Sequence, residues 1–182
     1  MALLTSARES QLWMATALVV GGIFATLFLD RPFLEQLGNK NVQAAFFLGG
    51  MGLIGLAIML YAMFSNPGKT NLIILLGIAT IYMMLFLRLG LTERGHMIEY
   101  SVMALCVHEI LFERARNGKA LRPILLWAFA ISFLIGCIDE SLQLFIPDRV
   151  FDPVDIVFNA MVIFMALAAR GTVQLIEKMR GA

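Results

Sequence analysis

The sequence predicts an all-α membrane protein, a polytopic transmembrane helix bundle with about six spans and both termini in the cytoplasm. Of its 182 residues, 60% are hydrophobic and 15% are charged, whereas soluble domains carry about 25% charged residues. Several apolar runs are long enough to cross the hydrocarbon core as helices. The net charge of +1, without a long basic run, gives no indication of nucleic-acid binding.

The apolar runs define the predicted spans of a single transmembrane domain, 1–182. They cover residues 13–29, 44–64, 71–87, 96–112, 124–145 and 154–169. A polar leader precedes them, and the tail from 170 to 182 is predicted to form an interfacial helix. With both ends in the cytoplasm, nine Lys and Arg residues lie in inner segments and five in outer segments, a moderate bias in the direction of the positive-inside rule.

Two polar stretches, 93–100 and 137–159, hold the candidate site residues, and this orientation places both at the outer face. Their members are Arg94, His96, Glu99, Tyr100, Glu140, Gln143, Arg149, Asp155 and Asn159. Since a helix rises about 1.5 Å per residue, Glu99, Glu140 and Asn159 lie about 5–9 Å below the outer ends of spans four, five and six. Charged groups at such positions are costly. We therefore expect them to form one shallow polar layer where these three helices meet.

In the second stretch, Asp139 and Glu140 point about 100° apart around their helix. We expect Glu140 to be the inward group because it shares a face with Gln143. Two interpretations of the layer remain open: a site for a polar ligand, and a structural network that fixes helix register. Near the start of span six, Asp152 and Asp155 also suit a capping role.

The layer contains potential metal ligands, namely His96, Glu99, Glu140 and Asp155. Because it holds one histidine and no H-E-x-x-H pattern, we expect no metal site and no cofactor. His108 and Glu109, at the inner end of span four, are interpreted as interfacial residues.

The polar residues follow an ordered pattern. It reads Glu93-Arg94-x-His96-x-x-Glu99-Tyr100, then Glu140-x-x-Gln143-x-Phe145-x-Pro147-x-Arg149, then Asp155-x-x-x-Asn159. This pattern, within 88–169, resembles the VanZ-like family of bacterial membrane proteins. The resemblance implies an integral protein of the bacterial cytoplasmic (inner) membrane, with a link to the cell envelope and to low-level glycopeptide (teicoplanin) resistance. Where relatives often have a glycine soon after the asparagine, this chain has Ala160, Met161 and Val162.

The leading functional hypothesis is a pocket at the outer face that binds a lipid head group or a cell-envelope precursor. Arg149 and Arg94 would hold an anion, while Glu140 and His96 would set its protonation. Gln143 and Asn159 would orient it. The alternative is an accessory or structural subunit of a larger complex, with other integral membrane subunits as partners besides lipids. An envelope enzyme that uses His96 and a carboxylate is a third hypothesis, for which the sequence offers no identifiable nucleophile.

Overall fold

A computed structural model describes residues 6–28, 68–119, 122–147 and 149–181, together with the single positions 39, 42, 49, 59 and 63. Within these residues there are five helices and no strand. The helices are α1 (Ala7–Thr26), α2 (Lys69–Arg88), α3 (Leu91–Arg116), α4 (Ile124–Gln143) and α5 (Pro153–Gly181). The all-α prediction is confirmed.

Three of these helices are long and apolar enough to cross a membrane: α2, α4, and α5 over Pro153–Ile176. They correspond to the predicted third, fifth and sixth spans. The predicted second span, 44–64, lies outside the described residues except for three isolated positions. The described part of the chain therefore contains fewer candidate spans than the six predicted.

The predicted first and fourth spans form helices that are less apolar than the other three. In α1 the first turns carry Arg8 and Glu9, so the apolar part begins only at Leu12. In α3, Glu99 and Glu109 interrupt the apolar run. The ion-pair partners of Arg8, Glu9 and Glu109, described below, explain how these charges are accommodated.

Several helices extend beyond the predicted spans, including α3 at its start and α5 at its end. Helix α3 begins at Leu91, so Glu93 and Arg94 lie in its first turns rather than in a loop. Helix α5 continues to Gly181, so the predicted interfacial tail is the end of the same helix. Residues 170–181 contain no proline, and most of them are good helix formers, which allows this continuation.

The segments Met1–Phe28 and Thr92–Thr172 form one compact unit. Its core includes Tyr100 and Met103 of α3 and Ile163 of α5, all fully buried. A Cβ atom on Gly136 of α4 would lie 3.1 Å from Tyr100 Cε1 and 3.8 Å from Asn159 Cβ. The glycine at position 136 therefore lets α3 and α5 approach α4 closely at this point.

The segments Leu29–Leu91 and Val173–Ala182 form a second compact unit. Its longest described helical segment, α2, has no buried residue. Large apolar side chains such as Ile73, Ile81 and Met84 are exposed along its length. A helix that is apolar all round is typical of a segment surrounded by lipid or by other membrane helices.

Candidate functional site

Three helices of the first unit bring polar side chains together in what we call the three-helix cluster. Its members are His96 and Tyr100 from α3, Asp139, Glu140 and Gln143 from α4, and Asp155 and Asn159 from α5. Within each helix these residues are one to four positions apart, so each helix presents them from one or two adjacent turns. All are buried except His96 and Asp155, which are partly exposed.

Helices α3 and α5 are joined through His96 and Asn159. The Asn159 Oδ1 atom lies 3.1 Å from His96 Nδ1, within hydrogen-bond distance. The imidazole ring also meets the Tyr100 ring edge to face, with centroids 5.8 Å apart. These two contacts fix the orientation of the His96 ring.

Helices α3 and α4 are joined through Tyr100 and Asp139. The Tyr100 hydroxyl donates a 2.8 Å hydrogen bond to Asp139 Oδ2. Sequence reasoning expected Glu140 to point inward in preference to Asp139, but Asp139 is 3% exposed and Glu140 0% exposed. Because α4 contacts neighbours on two sides, two carboxylates that are about 100° apart can both be buried. Asp139 is therefore a cluster member that sequence reasoning missed.

The buried Glu140 carboxylate receives one side-chain hydrogen bond, and its charge also interacts with the main chain of Asp152. Gln143 Nε2 donates a 2.9 Å hydrogen bond to Glu140 Oε1. Glu140 Oε2, Asp139 Oδ1 and Asn159 Nδ2 are buried without a hydrogen-bond partner among the described residues. The large majority of buried polar atoms in proteins are hydrogen-bonded, so three such atoms in one cluster are unusual. Ser101 Oγ and Ser132 Oγ, outside the cluster, are also buried without a partner among the described residues.

His96, Glu140 and Asp155 each contribute an atom to a compact group of potential ligands. One ring nitrogen and one carboxylate oxygen from each acid lie within 4.8 Å of one another. The expectation of no metal site was based on local spacing, and these three residues come from three different helices. Asp155 is free to take part because Asp152 caps α5, its Oδ1 accepting a 2.8 Å hydrogen bond from the Val154 N–H.

The remaining predicted residues lie at the edge of this cluster. Glu99 is partly exposed and interacts electrostatically with His96 and Asp139. Arg94 is partly exposed near the start of α3. Arg149 donates hydrogen bonds to main-chain carbonyl oxygens, at 2.6 Å to Thr26 and at 3.3 Å to Leu27. In this arrangement Arg149 caps the C-terminal end of α1, and anion binding by Arg149 and Arg94 stays a prediction.

A second polar group, which we call the ion-pair network, lies at the other end of α3 and joins it to α1 and α5. It consists of Ser6, Arg8, Glu9, Glu109, Glu113, Arg114, Arg116 and Arg170. Arg170 Nη2 is 2.9 Å from Glu109 Oε1, and Arg114 Nε is 3.5 Å from the fully buried Glu9. At about 1.5 Å per residue, Glu109 is about 20 Å from His96 along α3.

The ion-pair network explains how charges predicted to be interfacial are held within the fold. Glu109, interpreted from the sequence as interfacial, pairs with Arg170 and, at 3.5 Å, with Arg8. The Ser6 hydroxyl donates a 2.9 Å hydrogen bond to Glu113 Oε1. This hydrogen bond, together with Asn117 and nearby arginines, lowers the pKa of Glu113 below its usual 4.5.

Comparison with known proteins identified no relative of this chain. No family model matches the chain, and no curated protein or solved structure matches it either. The resemblance to the VanZ-like family therefore stays a prediction from the sequence pattern.

Proposed function

We propose that this chain is a VanZ-like membrane protein of the bacterial inner membrane that binds the head group of a lipid or envelope precursor in the three-helix cluster. In this proposal the chain crosses the membrane about six times with both termini in the cytoplasm, so the cluster faces outward. The resemblance to the VanZ-like family also implies a link to glycopeptide (teicoplanin) resistance.

The observation that most directly supports the proposal is that three buried polar atoms of the three-helix cluster lack hydrogen-bond partners among the described residues. A network that served only to hold helices together would be expected to satisfy its own donors and acceptors. Glu140 Oε2, Asp139 Oδ1 and Asn159 Nδ2 have none among the described residues. Two acceptors and one donor in one small volume suit a polar head group that both donates and accepts hydrogen bonds.

The charge of the cluster limits which head groups fit. Three carboxylates, those of Asp139, Glu140 and Asp155, stand against the His96 imidazole, and Arg149 is engaged with carbonyl groups of α1. The cluster therefore favours a hydroxyl-rich or amine-bearing head group over a bare anion, in contrast to the roles that the sequence suggested for the arginines.

Lipid co-purification tests this proposal. The full chain would be purified in a mild detergent, and the bound lipids identified by mass spectrometry for wild type, Glu140→Ala and Asn159→Ala. We expect a lipid or precursor bound to wild type to be lost from both variants.

A matched control is Ser132→Ala. Ser132 is also fully buried on α4, but it lies about 12 Å away from Glu140 along the helix. Identical lipid content in wild type, both cluster variants and the control would contradict the proposal.

A second candidate function is an accessory subunit of a membrane complex, favoured by one observation. None of the residues of α2 is buried. Between its polar ends, the large exposed side chains of α2 are apolar, for example Ile73, Ile81 and Met84. Lipid or a partner helix can cover such a surface. Purification in mild detergent discriminates, because a stable assembly with unrelated subunits supports this candidate and a monomer with bound lipid supports the first.

A further inference from the structure

Three side chains of the three-helix cluster combine one imidazole with two carboxylates at metal-binding separation. The candidate ligand atoms of His96, Glu140 and Asp155 lie within 4.8 Å of one another. We propose that these residues bind one divalent first-row transition-metal cation, Zn²⁺ or Mn²⁺. The proposal concerns the cation alone and does not depend on lipid binding.

The separation of the ligand atoms is close to what a bound cation requires. A point equidistant from three atoms 4.8 Å apart is about 2.8 Å from each, whereas Zn²⁺ binds nitrogen and oxygen ligands at about 2.0–2.2 Å. Side-chain movements of less than about 1 Å would therefore close the site around the cation.

Two of the ligands are already held by neighbouring side chains. His96 Nδ1 is within hydrogen-bond distance of Asn159, and Glu140 Oε1 accepts a hydrogen bond from Gln143. Metal-binding histidines and carboxylates are commonly oriented by such outer contacts. The Glu140 carboxylate is fully buried, and its Oε2 atom has no partner within the described part of the chain.

The charge around the site also favours a cation. Glu140 and Asp155 repel each other, and Asp139 adds a further carboxylate beside them. A divalent ion between Glu140 and Asp155 would replace this repulsion by attraction. His96 and Asp155 are partly exposed, so an ion can reach the site from the surface.

The ligand set indicates the class of metal. Imidazole suits Zn²⁺ and other transition metals, and carboxylates suit Mn²⁺ and Mg²⁺. Mg²⁺ prefers all-oxygen surroundings and keeps several of its waters. One imidazole with two carboxylates therefore favours Zn²⁺ or Mn²⁺ over Mg²⁺.

Metal titration of the purified full chain tests the proposal. After treatment with a chelator, Mn²⁺ binding would be measured by electron paramagnetic resonance of the free ion, and Zn²⁺ and Mg²⁺ by competition. We expect one Mn²⁺ per wild-type chain, displaced by Zn²⁺ and poorly by Mg²⁺. Glu140→Gln and Asp155→Asn should each weaken binding by at least about tenfold.

Asp139→Asn is the matched control, because Asp139 is the neighbouring buried carboxylate of α4 and is not among the three ligands. It should retain one Mn²⁺ per chain with a smaller loss of affinity. The proposal is overturned if Asp139→Asn weakens binding as much as Glu140→Gln does, if wild type binds no Mn²⁺ or Zn²⁺, or if Mg²⁺ competes equally.

If the variants fail to fold, a measurement on the wild-type protein alone tests whether His96 binds the cation. The chain has two histidines, and His108 is 1% exposed, so diethyl pyrocarbonate should modify chiefly His96. Zn²⁺ should protect His96 from modification. Unchanged modification of His96 in saturating Zn²⁺ would exclude it as a ligand.

Discussion

At the residue scale, the contact between Tyr100 and Asp139 illustrates how an apolar helix can bury a carboxylate. The hydroxyl group supplies the one hydrogen bond that Asp139 receives within the described structure, at 2.8 Å. The ring itself is fully buried against Gly136. One side chain thus fills the space between α3 and α4 and partly satisfies a charge there.

Tyr100→Phe removes this hydrogen bond and keeps the ring. We expect a loss of about 1–3 kcal/mol in the free energy of unfolding, since a buried acceptor is left without a donor. Denaturation in detergent micelles, followed by circular dichroism, measures it. In an Asp139→Ala background, Tyr100→Phe should reduce the free energy of unfolding by only a few tenths of that amount. An equal reduction in both backgrounds would contradict the hydrogen bond between Tyr100 and Asp139.

Gly136 provides a second prediction at this scale. An added methyl group at Gly136 would lie 3.1 Å from Tyr100 Cε1, whereas one at Gly77 of α2 has nothing within 4 Å. The Tyr100 ring is fully buried and its hydroxyl is hydrogen-bonded to Asp139, so it is held in place. We therefore expect Gly136→Ala to be less stable than Gly77→Ala by about 1–3 kcal/mol because of overpacking. Gly77→Ala should be neutral or stabilising by up to about 1 kcal/mol, as expected for a helix interior. Equal melting temperatures for both variants would count against the close approach of the helices.

At the scale of the helices, α3 is held at both ends by different chemistry. The three-helix cluster surrounds its N-terminal half, and the ion-pair network surrounds its C-terminal end. Both groups include buried charges, and each charge that loses its partner would be costly. This arrangement explains why a helix with Glu99, His108 and Glu109 in its predicted span is nevertheless packed in the core of the first unit.

The ion-pair network predicts a pH dependence of stability through Glu113. Its pKa in the folded chain lies below the usual 4.5 because the Ser6 hydroxyl donates to it. A lowered folded-state pKa stabilises the fold above the unfolded value and loses this effect as pH falls through the folded value. We therefore expect Glu113→Gln to melt at a lower temperature than wild type at pH 7. The gap should close progressively below pH 4.5, and a gap that is constant with pH would contradict this account.

The sequence predicted the helices better than their contacts. Apolar runs located α2 and α4 to within two residues, because the length needed to cross a bilayer constrains such runs. Polar spacing also indicated which faces of α3, α4 and α5 carry His96, Glu140 and Asn159. The structure brings these residues together with Asp139. The sequence-based expectation that Glu140 alone points inward from α4 had not included Asp139.

Other features could not be predicted because they depend on partners far away in the chain. The glycine that allows close packing is Gly136 on α4, rather than one following Asn159 on α5. The contacts of Arg149 with the end of α1 join residues more than 120 positions apart. No local pattern of residue types reveals such pairs.

At the scale of the whole molecule, the apolar faces of α2, α4 and α5 determine how the chain is placed in a membrane. Large side chains on these helices, such as Ile81, Leu134 and Phe164, are exposed in the described structure. In water such surfaces would be a liability, whereas in a bilayer they contact lipid tails. The candidate spans therefore turn large apolar side chains outward, while α4 and α5 keep polar groups buried inside the first unit.

The proposed orientation gives a prediction for intact cells. Asp152 lies in the connection between α4 and α5, and Asn117 follows α3, so the proposal places them on opposite sides of the membrane. In a background without Cys106 and Cys137, an impermeant maleimide should label Asp152→Cys and leave Asn117→Cys unlabelled until the cells are opened. The reverse pattern would place both termini outside.

The most direct test of the account is a crosslink between α4 and α5 inside the cluster. A Cβ atom at Gly136 lies 3.8 Å from Asn159 Cβ, which matches the mean Cβ separation of disulfides, about 3.8 Å. In the background without Cys106 and Cys137, Gly136→Cys with Asn159→Cys should form a disulfide in membranes on mild oxidation. The crowding of Gly136→Cys against Tyr100 affects this pair and the control pair equally, so the two pairs can be compared directly. Gly136→Cys with Val157→Cys should not, because Val157 is 69% exposed and lies on another face of α5. A crosslink in the Val157 pair and none in the Asn159 pair would show that α5 turns its polar face away from α4, and the three-helix cluster would not exist.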